Sequence, residues 1–275
     1  MNIFMRFPDG KAKAFTLSYD DGVRQDKRLV QIFNKYGLKC TFNINSSAYD
    51  APKEDEPYKG KMSLAEMVPV YAGHEVAVHT LTHPFLEQLP SALVTREVLD
   101  DRCNIEKTFG RIARGMAYPF GTYNDTVVQC IASCGIVYSR TVRATQNFSV
   151  PEDWLRLHPT CHHADPNVLA HVERFSGNHS GRAPWLFYLW GHSYEFDSGR
   201  ERNSWEYAET LFASLGGHDD VWYATNIEVY DYVQAYRRLV YSADAKTVYN
   251  PSATEVFFAC GDKTVSVKPG ETVCL

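Results

Sequence analysis

The stretch AFTLSYDDG, residues 14–22, gives the clearest indication of the fold. Its apolar and β-forming residues indicate a buried strand, and the strand pattern stops at Asp20, Asp21 and a glycine turn. A second stretch, HTLTHP at 79–84, also follows an apolar run. Functional side chains of a parallel α/β barrel come from the C-terminal ends of its strands. We therefore expect the two carboxylates and the two imidazoles at one rim of a barrel.

Short apolar runs alternate with longer amphipathic stretches over most of the chain, which is typical of βα units around a parallel sheet. Seven strands are predicted, at 14–19, 40–44, 75–79, 115–118, 136–141, 185–190 and 221–225. Helices are predicted between them, at about 24–36, 63–71, 91–109, 125–134, 166–175, 203–215 and 227–239. Each connection is then a helical crossover, and the fold class is α/β.

The pattern changes beyond about residue 240. Short strand-like pieces are found there, at 248–249, 255–259, 264–267 and 272–275, with Gly261-Asp262 as a turn candidate. We expect one barrel-type domain, residues 1–240, with a C-terminal β extension, residues 241–275, that packs on the same domain.

The composition excludes several classes of protein. Hydrophobic residues at 44 % and charged residues at 22 % are typical of a folded globule, and a net charge of −5 argues against nucleic acid as a partner. Residues 1–14 lack the apolar core of a secretory signal, and no apolar run is long enough for a membrane span. Seven cysteines without framework spacing favour a reducing compartment. We expect a cytoplasmic location.

The two stretches at the expected rim carry the residue types of a metal centre. His79 and His83 lie four residues apart, so on a helical turn they would point the same way, and Asp21 adds a carboxylate. Such a three-ligand set leaves open positions on a catalytic zinc or related ion. The adjacent Asp20 could then take a proton from activated water as general base. The alternatives are a solvated acidic turn and an ordinary helix start.

Here the sequence resembles a known family. SYDDG, residues 18–22, is similar to the TFDDG motif of the NodB-homology polysaccharide deacetylases, carbohydrate esterase family 4, and HTLTHP to their H-(S/T)-x-x-H-P motif. The resemblance covers roughly residues 12–240 and implies a distorted (β/α)7 barrel. It also implies that Asp20 is the general base and that Asp21, His79 and His83 bind a divalent ion, Zn²⁺ in the first place, with Co²⁺, Ni²⁺ or Mn²⁺ as alternatives.

The third family motif departs from the pattern. It is AYPFG here, residues 117–121, so Ala117 stands where the family has an arginine that keeps the catalytic aspartate ionised. The sequence offers three replacements for that charge: Arg114, Arg140 and Arg143. The motif's Tyr118, Pro119 and Phe120 are expected to bind substrate, and the backbone N–H of Tyr118 to stabilise an oxyanion.

The last two family motifs contain a candidate general acid and aromatic residues that could line a sugar-binding groove. In LWGHSYEFD, residues 189–197, His192 is the expected general acid, with a structural histidine as the alternative. Trp190 and Tyr194 would face a sugar or pack in the core. Trp154 matches the fourth motif loosely, as a sugar wall or as a packed indole. The histidine-rich segment 157–165 could line the groove or bind another ion, although solvated loop residues are favoured.

The residues predict a metal-dependent hydrolase that acts through metal-activated water, and the resemblance implies that it removes the acetyl group from an N-acetylated sugar or glycoconjugate. Its partner would be a small-molecule or oligosaccharide substrate, and the sequence leaves the oligomeric state open. One alternative is hydrolysis of a non-sugar amide such as a ureide or cyclic imide. Another is an inactive carbohydrate-binding relative, although binding alone requires neither a base nor an acid.

Overall fold

The structure, a computed structural model, describes residues 2–51, 53–54, 60–177, 179 and 181–275. The α-helices within these ranges are α1 Asp26–Lys35, α2 Leu64–Val70, α3 Ser91–Phe109, α4 Asp125–Ser133, α5 Val168–Ser176, α6 Trp205–Leu215 and α7 Asn226–Arg237. The strands are β1 Ile3–Arg6, β2 Lys13–Asp20, β3 Cys40–Ile44, β4 Glu75–Val78, β5 Gly115–Ala117, β6 Tyr138–Arg140, β7 Cys161–His162, β8 Trp185–Gly191, β9 Val221–Tyr223, β10 Val240–Tyr241, β11 Thr247–Tyr249, β12 Val256–Cys260, β13 Lys263–Val267 and β14 Thr272–Cys274.

A curled parallel sheet forms the centre of the fold. Its strands follow the order β6-β5-β4-β3-β2-β8-β7, and β9 pairs with the start of β2. Leu157 forms a parallel bridge with Arg140 at the end of β6, and β7 pairs with β8. The segment 157–162 therefore links the two ends of the sheet, and the predicted distorted (β/α)7 barrel is confirmed.

All seven predicted strands and all seven predicted helices are present, with ends within two residues of the prediction. Helix α2 begins with the expected capping box, in which the Ser63 side chain accepts from the Glu66 N–H and Glu66 accepts from the Ser63 N–H. Pro69 lies inside this helix, which is only seven residues long. The periodicity thus predicted the helical crossovers, except that the connection from β6 to β7 contains no α-helix.

The prediction missed three short strands. β7 and β10 have two residues each, too few to produce a periodic pattern. β1 does not pair with a strand that is near it in the sequence. β1 pairs with β12, and β12 pairs with β13 across the predicted Gly261-Asp262 turn. Strand pairing therefore crosses the proposed boundary at residue 240, and the division into barrel and extension stays a prediction.

The alternation of side chains along β2 determines what the barrel contains. Phe15, Leu17 and Tyr19 belong to the main apolar cluster, which packs β2 against α1 and α6. The intervening Ser18 and Asp20 face polar partners, because the side-chain amide of Asn43 on β3 donates to both of them. Asp20 thus arrives at the end of its strand on the polar inner face. No helix within the described ranges is long and apolar enough to cross a bilayer.

Candidate active site

The loops after β2 and β4 bring three predicted metal ligands together. The ligand atoms of Asp21, His79 and His83 all lie within 4.8 Å of one another. The backbone N–H of Asp21 donates to the Asn43 carbonyl, 2.9 Å away, and that of His79 to the Ile44 carbonyl, 3.0 Å away. Both ligands are therefore fixed to the C-terminal end of the intervening strand, β3.

The expected helical turn between the two histidines is wrong. Thr80 has φ 67° and His83 has φ 60°, values outside any right-handed helix. The Thr80 hydroxyl accepts the His83 N–H at 3.0 Å and stabilises a tight loop, which places the two imidazole centroids 4.8 Å apart. Asp21 is also left-handed, with φ 82°. Each such residue costs about 1–3 kcal/mol and is typical of functional sites.

This donor set fits a divalent ion. Nδ1 of His79 donates to the Ala117 carbonyl at 2.8 Å, which leaves the lone pair of Nε2 free for a metal. Burial lowers the pKa of His79 to about 4 and also lowers the pKa of His83, so both imidazoles are neutral at neutral pH. Two neutral imidazoles and one carboxylate match the ligand set of catalytic zinc sites and leave positions open.

Arg140 supplies the charge that the third motif lacks. Its Nη2 donates to Oδ2 of Asp20 in a short, fully buried contact, and the guanidinium stacks over the Trp190 ring at 4.4 Å. Burial would raise the pKa of Asp20, but Arg140, together with nearby His79 and His192, lowers it below its ordinary value. Of the three arginines considered, Arg140 on β6 is therefore the one that keeps Asp20 ionised.

His192 lies directly after β8 and close to Asp20. Its Nε2 is 3.8 Å from Oδ2 of Asp20, and its Nδ1 is 3.6 Å from Oε1 of Glu195. Burial alone would lower the pKa of His192, but these two carboxylates outweigh it and raise the pKa above its ordinary value. The neighbouring carboxylates thus favour the protonated imidazole, which is the form that a general acid requires.

Three of the expected substrate-binding aromatics lie at this rim. The Tyr194 ring is 5.0 Å from that of His192 and is 43 % exposed. Phe120, 49 % exposed, stacks on Phe85 at 3.9 Å and meets the His83 ring edge-on at 4.4 Å. Trp190 lies beneath Arg140. The rim thus has exposed aromatic surface on both sides of the carboxylates.

Two expectations about the remaining aromatics are wrong. The N–H of Tyr118 donates to the Arg140 carbonyl at 3.0 Å as part of the sheet, so it is not free to stabilise an oxyanion. Pro119, next to it, is buried. Trp154 is buried edge-to-face against Tyr230 of α7, among residues at the N-terminal ends of the strands. It is a packed indole at the opposite end of the barrel from Asp20.

Sequence reasoning missed two parts of the site. His163 was assigned to a solvated loop but is fully buried, and both it and His162 contact Glu195. Glu195 lies three residues after His192 in the sequence, and this spacing was the signal that could have indicated a carboxylate beside the general acid. Lys61 was also missed: its Nζ lies 3.8 Å from Oδ1 of Asp21 and donates to Oδ1 of Asn45 at 2.9 Å.

Comparisons with known proteins show what this chain is similar to. Residues 8–139 match the family model described as polysaccharide deacetylase, which confirms the resemblance found in the motifs. A chitooligosaccharide deacetylase of Sinorhizobium fredii is 26 % identical over 157 residues, 56 % of this chain and 60 % of that protein. The chain spans about half to three fifths of the length of such curated relatives.

Solved structures share the fold. The crystal structure of a candidate polysaccharide deacetylase from Mycobacterium smegmatis has a TM-score of 0.56 and 16 % identity, covering 84 % of this chain and 93 % of that one. A pseudoenzyme of carbohydrate esterase family 4 from Bacillus anthracis has a TM-score of 0.50 and 19 % identity, covering 82 % and 67 %. At these identities the likeness concerns the fold alone.

Proposed function

From the polysaccharide deacetylase match over residues 8–139, we propose that this chain is a metal-dependent hydrolase that removes the acetyl group from an N-acetylated sugar or glycoconjugate. Asp21, His79 and His83 would hold the ion. A divalent ion there would lower the pKa of water and polarise the substrate carbonyl. Zn²⁺ suits the two imidazoles and the carboxylate best, and Co²⁺, Ni²⁺ and Mn²⁺ are the alternatives.

The two groups beside the ligands divide the proton transfers between them. Asp20, kept ionised by Arg140, takes a proton from the attacking water as general base. His192, whose protonated form is favoured by its carboxylate neighbours, gives a proton to the departing amide nitrogen as general acid. The products are acetate and a free amine. Trp190, Tyr194 and Phe120 would hold the sugar.

One observation carries this proposal: Oδ2 of Asp20 lies 4.0 Å from Nε2 of the ligand His79 and 3.8 Å from Nε2 of His192. The carboxylate of the base thus lies close both to a ligand of the ion that would activate water and to the imidazole that would protonate the departing nitrogen, as amide hydrolysis by a general base and a general acid requires. A purely carbohydrate-binding protein gains nothing from a buried Asp20–Arg140 pair, whose desolvation is costly.

The substrate class can be tested by incubating the Zn²⁺-loaded protein with N-acetylglucosamine oligomers and, separately, with a cyclic imide. We expect acetate and free amine in equal amounts from the oligomers and no ring opening of the imide. His83→Ala, which removes one ligand at a half-buried position, is the matched control without turnover. Opening of the imide alone would favour the non-sugar amide hydrolase, and oligomer binding without any product would favour the inactive relative.

A further inference from the structure

A second group of potential ligands, His162, His163 and Glu195, lies beside the general acid. Their ligand atoms are also within 4.8 Å of one another. Nε2 of His162 is 3.0 Å from Oε2 of Glu195, and Nε2 of His163 is 3.3 Å from the same oxygen. Two imidazoles and a carboxylate could hold a metal, or they could form a hydrogen-bonded network, and the positions of the protons decide between these roles.

The hydrogen-bond partners of His162 determine its tautomer. Its Nδ1 accepts the backbone N–H of Ala164 at 3.2 Å, so Nδ1 carries no proton. A neutral imidazole then carries its proton on Nε2, the atom that faces Glu195. A metal at this Nε2 would require the proton on Nδ1, where it would meet the Ala164 N–H. The backbone thus makes His162 a hydrogen-bond donor to Glu195 and a poor metal ligand.

His163 has the same tautomer. Its Nε2 faces two acceptors, Oδ1 of Asn203 at 3.0 Å and Oε2 of Glu195, so the proton is on Nε2. Its Nδ1 accepts the hydroxyl of Tyr19, 3.1 Å away, a phenol whose pKa is raised by burial. Burial also lowers the pKa of His163 to about 3 and keeps this imidazole neutral.

The imidazole ring of His163 packs closely against the backbone of a glycine. A Cβ placed on Gly191, the last residue of β8, would lie 1.9 Å from Nδ1 of His163. The ring also stacks parallel to Tyr19, at an interplanar angle of 3°, and on Phe196, with centroids 4.4 Å apart. His163 is therefore held rigidly on three sides, and its Nε2–H, which is bonded to Asn203, lies within 3.3 Å of Oε2 of Glu195.

We propose that His162 and His163 are positioning residues, whose two Nε2–H groups hold the Glu195 carboxylate against Nδ1 of His192, so that this cluster orients the general acid instead of binding a second ion. The inference rests on the proposed function of His192. Glu195 also accepts the backbone N–H of His192 at 3.3 Å, which fixes the carboxylate from a second direction. Nδ1 of His192 has no hydrogen-bond partner within the described residues and lies 3.6 Å from Oε1 of Glu195, which makes this carboxylate a nearby acceptor for an Nδ1–H, while Nε2 faces Asp20 at 3.8 Å.

The charged and titratable groups around His192 come from four elements. Asp20 and Asp21 face it from the end of β2, Glu195 and Tyr194 from its own loop, and His162 from β7. Arg140 of β6 is already paired with Asp20. Glu195 is the carboxylate on the Nδ1 side, so its removal should affect His192 while leaving the metal ligands intact.

The test compares Glu195→Gln, His162→Ala and His162→Gln with the wild-type protein, each loaded with Zn²⁺. We expect one bound ion per chain in all four. With the oligomer substrate, Glu195→Gln and His162→Ala should lower kcat about tenfold with little change in KM, since only part of the acid's contribution is lost. Loss of the carboxylate should move the alkaline limb of the kcat profile about one pH unit lower. His162→Gln, which keeps an N–H donor, should recover part of kcat.

Glu209→Gln is the matched control, because Glu209 pairs with Lys35 in an exposed contact on α6 and should change none of these values. Two bound ions in the wild-type protein that fall to one in Glu195→Gln would overturn the proposal, and so would an unmoved alkaline limb. The ¹⁵N shifts of the His162 and His163 imidazoles test it without turnover. Protons on Nε2 that Zn²⁺ leaves unaltered support it even if no acetate is released, and a Zn²⁺-induced loss of those protons would contradict it.

Discussion

Asp20→Asn is expected to lower kcat on an acetylated oligomer by about 10²- to 10⁴-fold, the usual contribution of a general base. An amide cannot take a proton from water at neutral pH, yet it nearly preserves the shape of the carboxylate and its contact with Asn43. Steady-state kinetics with acetate detection measure the loss. KM should change little, because Asp20 acts on the water and not on the sugar.

Asp21→Asn is the matched control, since the same substitution one residue later should remove a metal ligand instead of the base. Metal analysis after dialysis should find the ion retained by Asp20→Asn and depleted in Asp21→Asn. If Asp20→Asn loses the ion while Asp21→Asn keeps it, the roles of the two carboxylates are reversed. If Asp20→Asn retains full turnover, Asp20 is not the base.

Arg140→Met is expected to lower the free energy of unfolding by about 3–5 kcal/mol at neutral pH, because it leaves the Asp20 carboxylate buried without its partner. Both side chains of this pair are nearly inaccessible to solvent. The pKa of Asp20 is lowered in the folded chain, so the stabilisation is complete above the ordinary pKa of an aspartate. It is lost as the pH falls through the lowered pKa. The difference between wild type and variant should therefore shrink in acid.

Arg114→Met provides the comparison for denaturant unfolding at neutral and acidic pH. Arg114 pairs with Asp231 at a position where both side chains are partly exposed, so its loss should cost about 0–1 kcal/mol. Equal losses in the two variants at neutral pH would mean that the Arg140 pair contributes no more than a surface ion pair. Arg140→Met should also lower turnover, because Asp20 is then partly protonated.

The positions of the ligands could be predicted from the sequence because they follow apolar, β-forming runs that indicate buried strands. Eight consecutive buried residues in β2 and a four-residue β4 placed Asp21 and His79 at one rim without any knowledge of the loops. The loop conformation could not be predicted, since non-glycine residues such as Thr80 and His83 rarely adopt positive φ. The three ligands therefore lie together as expected, but a loop with positive φ values brings them together instead of the helical turn that the spacing of the two histidines predicted.

The features that could not be predicted from the sequence depend mostly on contacts between residues that are far apart in the chain. Arg140 is 120 residues from Asp20 in sequence, and only the order β6-β5-β4-β3-β2 across the sheet brings them together. The burial of His163 depends on β7, whose two residues show no period, and on the absence of a side chain at Gly191. Trp154 was misplaced because a tryptophan next to an aspartate is equally compatible with a groove and with a core.

Anomalous diffraction from crystals grown with Zn²⁺ would locate the ion and identify its ligands. We expect one strong peak about 2.0–2.2 Å from a carboxylate oxygen of Asp21 and from an imidazole nitrogen of each of His79 and His83. The carboxylate of Asp20 should lie next to this ion without being one of its ligands. A zinc ion held by His162, His163 and Glu195, or none at the three predicted side chains, would contradict this expectation.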